Sequence, residues 1–293
     1  MPNPDIDFDK LARRPDIAWP TLALFAIALL FWVSSTASAI AGLIPAGLAI
    51  AINAVAAFWM FTVFHDASHN ALGRNQKLND GIGRLAILFL SPLPIFRAFR
   101  FIHMQHHRFA NEGRDKDPDG WCGGGRWWTL PFRWATLDLY YYWFYLPRLK
   151  GRPAGERRET LLSIVFGISV MTVLIAAGLG MELLLYWLIP ARLAIFWLAL
   201  AFDYLPHHPH GVAERDNPWK ATSNRVGMEW LLTPLLLYQN YHLVHHLYPR
   251  APFYRYIRLW RAREPEHLSN SPYLITPSGR PLANQFAQSH TET

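Results

Sequence analysis

Histidine is the residue type in this chain whose spacing points most directly to chemistry. Eleven of the thirteen histidines fall in four short groups within 293 residues. The groups are His65 and His69; His103, His106 and His107; His207, His208 and His210; and His242, His245 and His246. In three groups the members are three or four positions apart, which puts them on one face of a helix. Each of those groups could therefore direct its imidazoles toward one point.

A metal centre explains these groups better than a set of unrelated polar positions. One pair of histidines is a weak signal, but burying eleven imidazoles without partners would be costly. Zinc takes about four ligands, so eight or more imidazoles imply two ions. Imidazole suits iron, copper, nickel and zinc, so spacing alone leaves the metal open. A haem would need ligands on facing spans rather than clusters beside them.

Long apolar stretches predict the elements that carry the histidines. No Asp, Glu, Lys or Arg occurs from Ile17 to Phe64, which leaves room for two helices of about 20 residues. We predict four spans, at about 18–33, 39–64, 160–179 and 183–205. The links that join them, near 34–38 and 180–182, carry no Lys or Arg. Arg192 lies inside the fourth span, where a charge must face protein or water. An aromatic, arginine-containing segment at 127–149 is typical of the membrane interface.

The predicted fold class is an all-α integral membrane protein, with four spans in two hairpins and a cytoplasmic histidine-rich cap. Residues 1–293 form one domain in this interpretation, with a polar segment at 1–16 and a disordered tail at 269–293. The net charge is +7 and the sequence pI about 9.6, yet we find no nucleic-acid-binding motif. Lys and Arg are absent from the two short links, so the positive-inside rule puts both termini and the histidines in the cytoplasm. The expected location is an inner or cytoplasmic membrane.

Three histidine groups resemble the boxes of a known superfamily. His65-x-x-x-His69, His103-x-x-His106-His107 and His242-x-x-His245-His246 are similar to the three histidine boxes of the membrane fatty acid desaturase superfamily. Its members include acyl desaturases, lipid hydroxylases, and carotenoid ketolases and hydroxylases. The resemblance runs from about His65 to Tyr254. The stretches 202–207 and 240–249 locally resemble carotenoid ketolases, as does Asp117-Pro118-Asp119.

This resemblance implies a non-haem di-iron centre that uses O2 to desaturate or hydroxylate a C–H bond of a lipid. It implies nine iron ligands: His65, His69, His103, His106, His107, His207, His242, His245 and His246. No catalytic group is expected beyond these ligands. Asp66, Asp203 and Asn240 are candidates for groups that orient them.

The electrons must come from a separate protein. The single cysteine, Cys122, rules out a four-cysteine iron–sulfur cluster within this chain. We expect a donor of the ferredoxin, rubredoxin or cytochrome b5 type, docking on the basic cytoplasmic face.

Other interpretations stay open at this point. The box pattern slightly favours an acyl lipid as substrate, whereas the local resemblances favour a carotenoid, which would be hydroxylated or converted to a ketone. A non-enzymatic membrane metal or haem protein is the alternative of another class. His208 and His210 are expected in a polar loop, and His267 and His290 in a solvated tail. Asp115, Asp117 and Asp119 are expected in a turn or a helix cap.

Overall fold

Four long apolar helices dominate the computed structural model, which describes residues 7–209 and 211–282. We call them spans one to four: Trp19–Ile40, Ala46–Ser68, Ala154–Ala176 and Gly180–His207. Each is long and apolar enough to cross a bilayer. The prediction of an all-α membrane protein with four spans is confirmed.

Short helices and one small sheet complete the described chain. The further α-helices are Phe8–Ala12, Gln76–Ile87, Phe96–Phe109, Leu130–Ala135, Leu137–Tyr145, Glu229–Leu235, His242–Leu247, Tyr256–Ala262 and Glu264–Ser269. Short 3-10 helices lie at Pro118–Trp121, Trp127–Thr129, Leu146–Gly151 and Phe253–Arg255. Strand β1 (Ser223–Arg225) pairs in parallel with strand β2 (Tyr273–Ile275).

Spans two and four form the interior of the helical part. About half of the most apolar stretch of each is buried, 50% in span two and 44% in span four, against 11% in spans one and three. Span two packs against span one, span four and helix Gln76–Ile87. Spans one and three thus present most of their apolar surface outward, as lipid-facing helices do.

Asn53 links three of the spans through its buried side chain. Its amide nitrogen donates to the Thr36 hydroxyl in span one and to the Tyr186 carbonyl in span four, both at 2.9 Å. Its side-chain oxygen accepts a hydrogen bond from the Ser35 hydroxyl. Polar side chains between membrane helices stabilise their association when every group is paired.

The first predicted link was wrong in position. Residues 34–38 continue span one, and the turn lies at 41–45, where Gly42 has a φ of +71°. Ser34 and Ser35 fit inside the helix because their hydroxyls donate to the carbonyls of Phe31 and Trp32. The second turn similarly falls at 177–179 rather than 180–182.

Arg192 is accommodated inside span four by an ion pair. Its guanidinium forms two hydrogen bonds with the Asp138 carboxylate, at 2.6 and 2.8 Å, and a third with the Ala135 carbonyl. The charge therefore faces protein, as expected for an arginine within a span.

The tail is more ordered than the sequence analysis expected. Residues 273–275 form strand β2, and Val226 donates its backbone N–H to the Ile275 carbonyl. His267 is buried rather than solvated, because it bonds to the Tyr248 hydroxyl at 2.9 Å and to the Trp260 carbonyl at 3.1 Å. His210, His290 and residues 283–293 lie outside the described residues.

Asn53 provides a test of how the spans are held together. We expect Asn53→Ala to lower the free energy of unfolding by about 1–2 kcal/mol, because Ser35, Thr36 and the Tyr186 carbonyl each lose a partner. The measurement is thermal unfolding in detergent, with the exposed Ser34→Ala as control. Equal stability of the two variants would contradict the assignment.

Candidate metal centre

The histidine groups lie at the ends of apolar helices and meet at one place. His65 and His69 lie at the end of span two, and His207 ends span four. The other groups lie on helices Phe96–Phe109 and His242–Leu247. Span four widens into a π-helix at Ala199–Tyr204 just before His207, a feature often found at functional sites. Nine histidines converge in this way.

Five imidazoles make up the first cluster: His65, His69, His103, His107 and His245. The Nε2 atoms of His69 and His103 are 2.8 Å apart, and those of His65 and His245 are 3.2 Å apart. His107 Nε2 lies 2.9 Å from His245 Nε2 and 3.2 Å from His103 Nε2. The side-chain nitrogens thus point to a common centre.

Four imidazoles make up the second cluster: His106, His207, His242 and His246. His207 Nε2 lies 3.1 Å from His106 Nε2 and 3.2 Å from His242 Nε2. One nitrogen from each of the four rings lies within 4.8 Å of the others. The two clusters adjoin, since the ring centroids of His107 and His246 are 4.3 Å apart.

These clusters fit metal ions. An ion bound to imidazoles at about 2.1 Å brings neighbouring ligand nitrogens to about 3 Å from one another, which matches the spacing in both clusters. Within the described residues, the buried Nε2 of His246 has no hydrogen-bond partner. A buried nitrogen that is unpaired but surrounded by other imidazoles is suited to a metal bond.

The surroundings keep most of the imidazole rings neutral, which is the form that can bind a metal. Burial lowers the pKa of His69, His103, His107, His242 and His245 well below the usual value, and neighbouring histidines lower it further. Burial also lowers the pKa of His246. A neutral imidazole has a free lone pair for a metal.

His106 is the exception, because two carboxylates contact it. Burial opposes its charge, but Asp119 and Asp117 raise the pKa of His106 to about 10. Its Nδ1 lies 3.0 Å from Asp117 Oδ1 and 3.2 Å from Asp119 Oδ2. An Nδ1–H held by carboxylates directs Nε2 toward the cluster, and a bound metal would displace the Nε2 proton.

Other Nδ1 atoms also have partners that set the ring orientation. His242 Nδ1 lies 2.5 Å from Gln239 Oε1, and His245 Nδ1 lies 2.9 Å from the Tyr256 hydroxyl. His246 Nδ1 lies 3.4 Å from Glu214 Oε2, an electrostatic contact without hydrogen-bond geometry. Such partners fix which ring nitrogen is available to a metal.

The three residues predicted to orient the histidines, Asp66, Asp203 and Asn240, lie near the clusters, but their hydrogen bonds go to residues other than the histidines. Asp66 accepts from the Thr21 hydroxyl at 3.0 Å, and its closest approach to His65 is 3.9 Å. Asp203 contacts the Cys122 thiol. Asn240 donates to the Thr233 hydroxyl at 3.3 Å.

The residues that contact histidine Nδ1 atoms were largely missed. Asp117 does cap the helix Pro118–Trp121 as predicted, but it also holds His106. The sequence contained a sign of this contact with His106, since Asp117 closely follows the second histidine box. Gln239 lies three residues before His242, whereas nothing in the local sequence marks Glu214 or Tyr256. His208 is exposed and takes no part in either cluster.

An apolar cavity reaches the first cluster. Its volume is about 80 Å³, and it lies between spans two and four and helices Phe96–Phe109 and Leu137–Tyr145. Phe61 and Phe99 line it and also stack on the histidines, Phe61 on His65 and Phe99 on His103. A long apolar molecule in this cavity would lie beside the cluster.

The carboxylate at His106 makes a prediction about metal affinity. We expect Asp117→Asn to weaken metal binding by about 10- to 100-fold. The two carboxylate oxygens of Asp117 contact His106 Nδ1 and the Asn111 N–H. An asparagine amide has one acceptor oxygen, so one of these two N–H groups would face the amide NH2 instead. The measurement is metal retention during dialysis against a chelator. Asp115→Asn, at an exposed position in the same loop, is the control and should retain metal. Equal retention by both variants would contradict the role of Asp117.

Comparison with known proteins identifies the family. Residues 38–276 match the model of the fatty acid desaturase family. A β-carotene ketolase of Paracoccus sp. (strain PC1) is 31% identical over 204 residues, covering 67% of this chain and 71% of the relative. A chloroplastic omega-3 fatty acid desaturase of Brassica napus is 26% identical, covering 71% of this chain and 58% of the relative. A chloroplastic sn-2 acyl-lipid omega-3 desaturase (ferredoxin) of Arabidopsis thaliana is also 26% identical, covering 71% and 53%. The chain therefore belongs to the fatty acid desaturase family and is an O2-dependent oxidoreductase of the membrane.

Proposed function

We propose that the protein is a non-haem di-iron oxidase that uses O2 and external electrons to oxidise a C–H bond of a lipid. The observation that carries this proposal is the pair of adjoining clusters, with eight buried imidazoles and the half-buried His107. One ion cannot use so many ligands, and a zinc ion would need about four. The proposed iron ligands are His65, His69, His103, His106, His107, His207, His242, His245 and His246.

Iron would supply the redox chemistry of O2 activation, and the protein would control access and orientation. Asp117 and Asp119 hold His106, and Gln239 and Tyr256 hold rings of the third box. The apolar cavity excludes water from the side where the C–H bond would lie. Loss of a second hydrogen would yield a double bond, and transfer of oxygen would yield an alcohol.

The cavity supports a long apolar substrate that comes from the bilayer. Helix Leu137–Tyr145 lines the cavity with Tyr141 and Tyr142, while its Leu139 and Trp143 are exposed on the outside. This is the arrangement of an interfacial helix with one face in the headgroup region. A lipid could pass beneath it from the membrane into the cavity.

A carotenoid is the substrate class that we would test first, and an acyl lipid the second. Two β-carotene ketolases of Paracoccus are similar over about seven-tenths of their own length. The omega-3 desaturases are similar over little more than half of theirs. The better coverage favours the carotenoid, whereas the histidine boxes fit both classes.

The side of the membrane is also part of the proposal. Lys and Arg concentrate in the segments that flank the histidines and are absent from the turns at 41–45 and 177–179. The positive-inside rule then supports a cytoplasmic position for both termini and the metal centre. This position would give a soluble electron donor direct access.

Metal analysis tests the di-iron centre. We expect about two irons per chain by mass spectrometry in the detergent-purified protein, and loss of iron in His245→Ala and His242→Ala, which remove one ligand from each cluster. His208→Ala is the matched control, because His208 is exposed and outside both clusters. One zinc per chain, or unchanged metal in both ligand variants, would refute the proposal.

The cavity can be tested by filling it. Ala98 is 3% exposed and lines the cavity, so Ala98→Phe should lower lipid turnover by about tenfold or more without loss of iron. Products would be followed by chromatography of carotenoids and fatty acids from a carotene-producing bacterial host. Val165→Phe, at a position in span three that is 62% exposed, is the control. New products in neither lipid class would exclude both substrates.

A further inference from the structure

We infer that a basic surface close in sequence to the first and third histidine boxes is the docking site of an acidic one-electron carrier protein. We define the basic surface by Arg13, Arg14, Arg74 and Arg250. The inference rests on the proposed function, since only a redox enzyme without its own electron donor needs such a carrier. It adds the place where the donor binds and the route that its electron takes.

The four arginines line one open depression of about 750 Å³. The same lining holds a single carboxylate, Asp9, which lies 3.9 Å from Arg263. Arg74 pairs with Asp16 at 2.8 Å, but both side chains are more than three-quarters exposed. Such an exposed pair is weak, so the positive charge is available to a partner.

The surface is held in place by backbone contacts. Arg255 donates to the carbonyls of Lys10, Leu11 and Arg13, at 3.0–3.2 Å, and so fixes the N-terminal helix. Ala18 donates its N–H to the Leu72 carbonyl at 2.8 Å, which fixes the next segment against the loop after box one. The arginines therefore have defined positions, as a specific docking surface requires.

The basic surface lies close in sequence to histidines of both clusters. Arg74 follows His69 by five residues, and Arg250 follows His246 by four. Arg255, which holds the N-terminal helix, precedes the fully buried Tyr256. The Tyr256 hydroxyl lies 2.9 Å from His245 Nδ1. A path of one peptide, one side chain and one hydrogen bond thus connects Arg255, which contacts the N-terminal segment of this surface, to a proposed iron ligand.

The redox balance requires two docking events for each turnover. Each event oxidises one carrier by one electron and reduces the metal centre by one electron. Two electrons, two protons and O2 convert a C–H bond to an alcohol and one water. The same inputs convert a CH2–CH2 unit to a double bond and two waters.

A negatively charged lipid surface is the competing partner for exposed arginines. A lipid site would combine basic groups with exposed apolar side chains, as found where Arg97 and Arg158 lie beside Leu162 and Phe166. The depression with the four arginines has Ala12 as its one apolar lining residue, whereas the exposed Trp19 lies in an adjoining depression that also contains the carboxylates of Asp7 and Asp16. Its chemistry therefore favours a soluble acidic protein over lipid headgroups.

The test compares two double charge reversals in the full-length, iron-loaded protein in nanodiscs. Arg74→Glu with Arg250→Glu alters the basic surface. Lys150→Glu with Arg157→Glu lowers the net charge by the same amount, at exposed positions just before and at the start of span three. The probe is a reduced acidic ferredoxin, and its oxidation is followed by stopped-flow absorbance at several ionic strengths. Dithionite serves as a small reductant that needs no docking surface.

We expect the first variant to lose about tenfold or more in the rate of ferredoxin oxidation at low ionic strength, with a weaker salt dependence. The control should stay within about twofold of the unaltered protein. Iron content should be unchanged in both, as should the lipid product formed in one turnover when O2 is added after anaerobic reduction with dithionite and removal of its excess. Equal losses in the two variants would assign the effect to general surface charge and overturn the inference, as would no loss in either. Absence of lipid product when O2 is added to the dithionite-reduced, unaltered protein would instead refute the proposed function, and the docking inference with it.

Discussion

Nine imidazole rings can be buried in contact with one another only if nearly all of them are uncharged. Each additional proton would add a desolvation cost and repulsion from the neighbouring rings. The lowered pKa values of His69, His103 and His242 express this constraint. His106 can carry a charge because Asp117 and Asp119 contact it directly. The same neutrality that permits burial leaves the lone pairs that a cation needs.

Placing these rings at the ends of membrane helices gives the centre two different surroundings. On one side, Phe61 and Phe99 separate His65 and His103 from an apolar cavity. On the other side, Tyr256 connects His245 to a segment at the aqueous surface. A substrate dissolved in the bilayer and an electron donor dissolved in water could therefore approach without competing. An enzyme that joins a lipid to a soluble reductant needs this separation.

Periodicity and apolar length were sufficient to predict the four spans and the convergence of the histidines. Both are local properties, because i, i+3 and i+4 spacing sets one helix face and about 20 apolar residues set one span. The contacts of Glu214 and Tyr256 with histidines depend on how distant segments pack, which no local pattern encodes. The ordered tail was missed for the same reason, since strand β2 is stabilised by its distant partner β1. Helix ends were displaced where serines paired with their own helix.

The metal centre explains why the family can include both ketolases and desaturases. The histidine boxes determine where metal ions can be held, and relatives of both classes match this chain. The product depends on which carbon lies nearest the metal, and small displacements change it. Under the proposed function, those displacements would be set by the side chains of the cavity, including Ala98, Leu198 and Tyr141. Substrate preference should therefore be sought in the cavity walls, because the histidines are constrained by their shared charge balance and cannot vary freely.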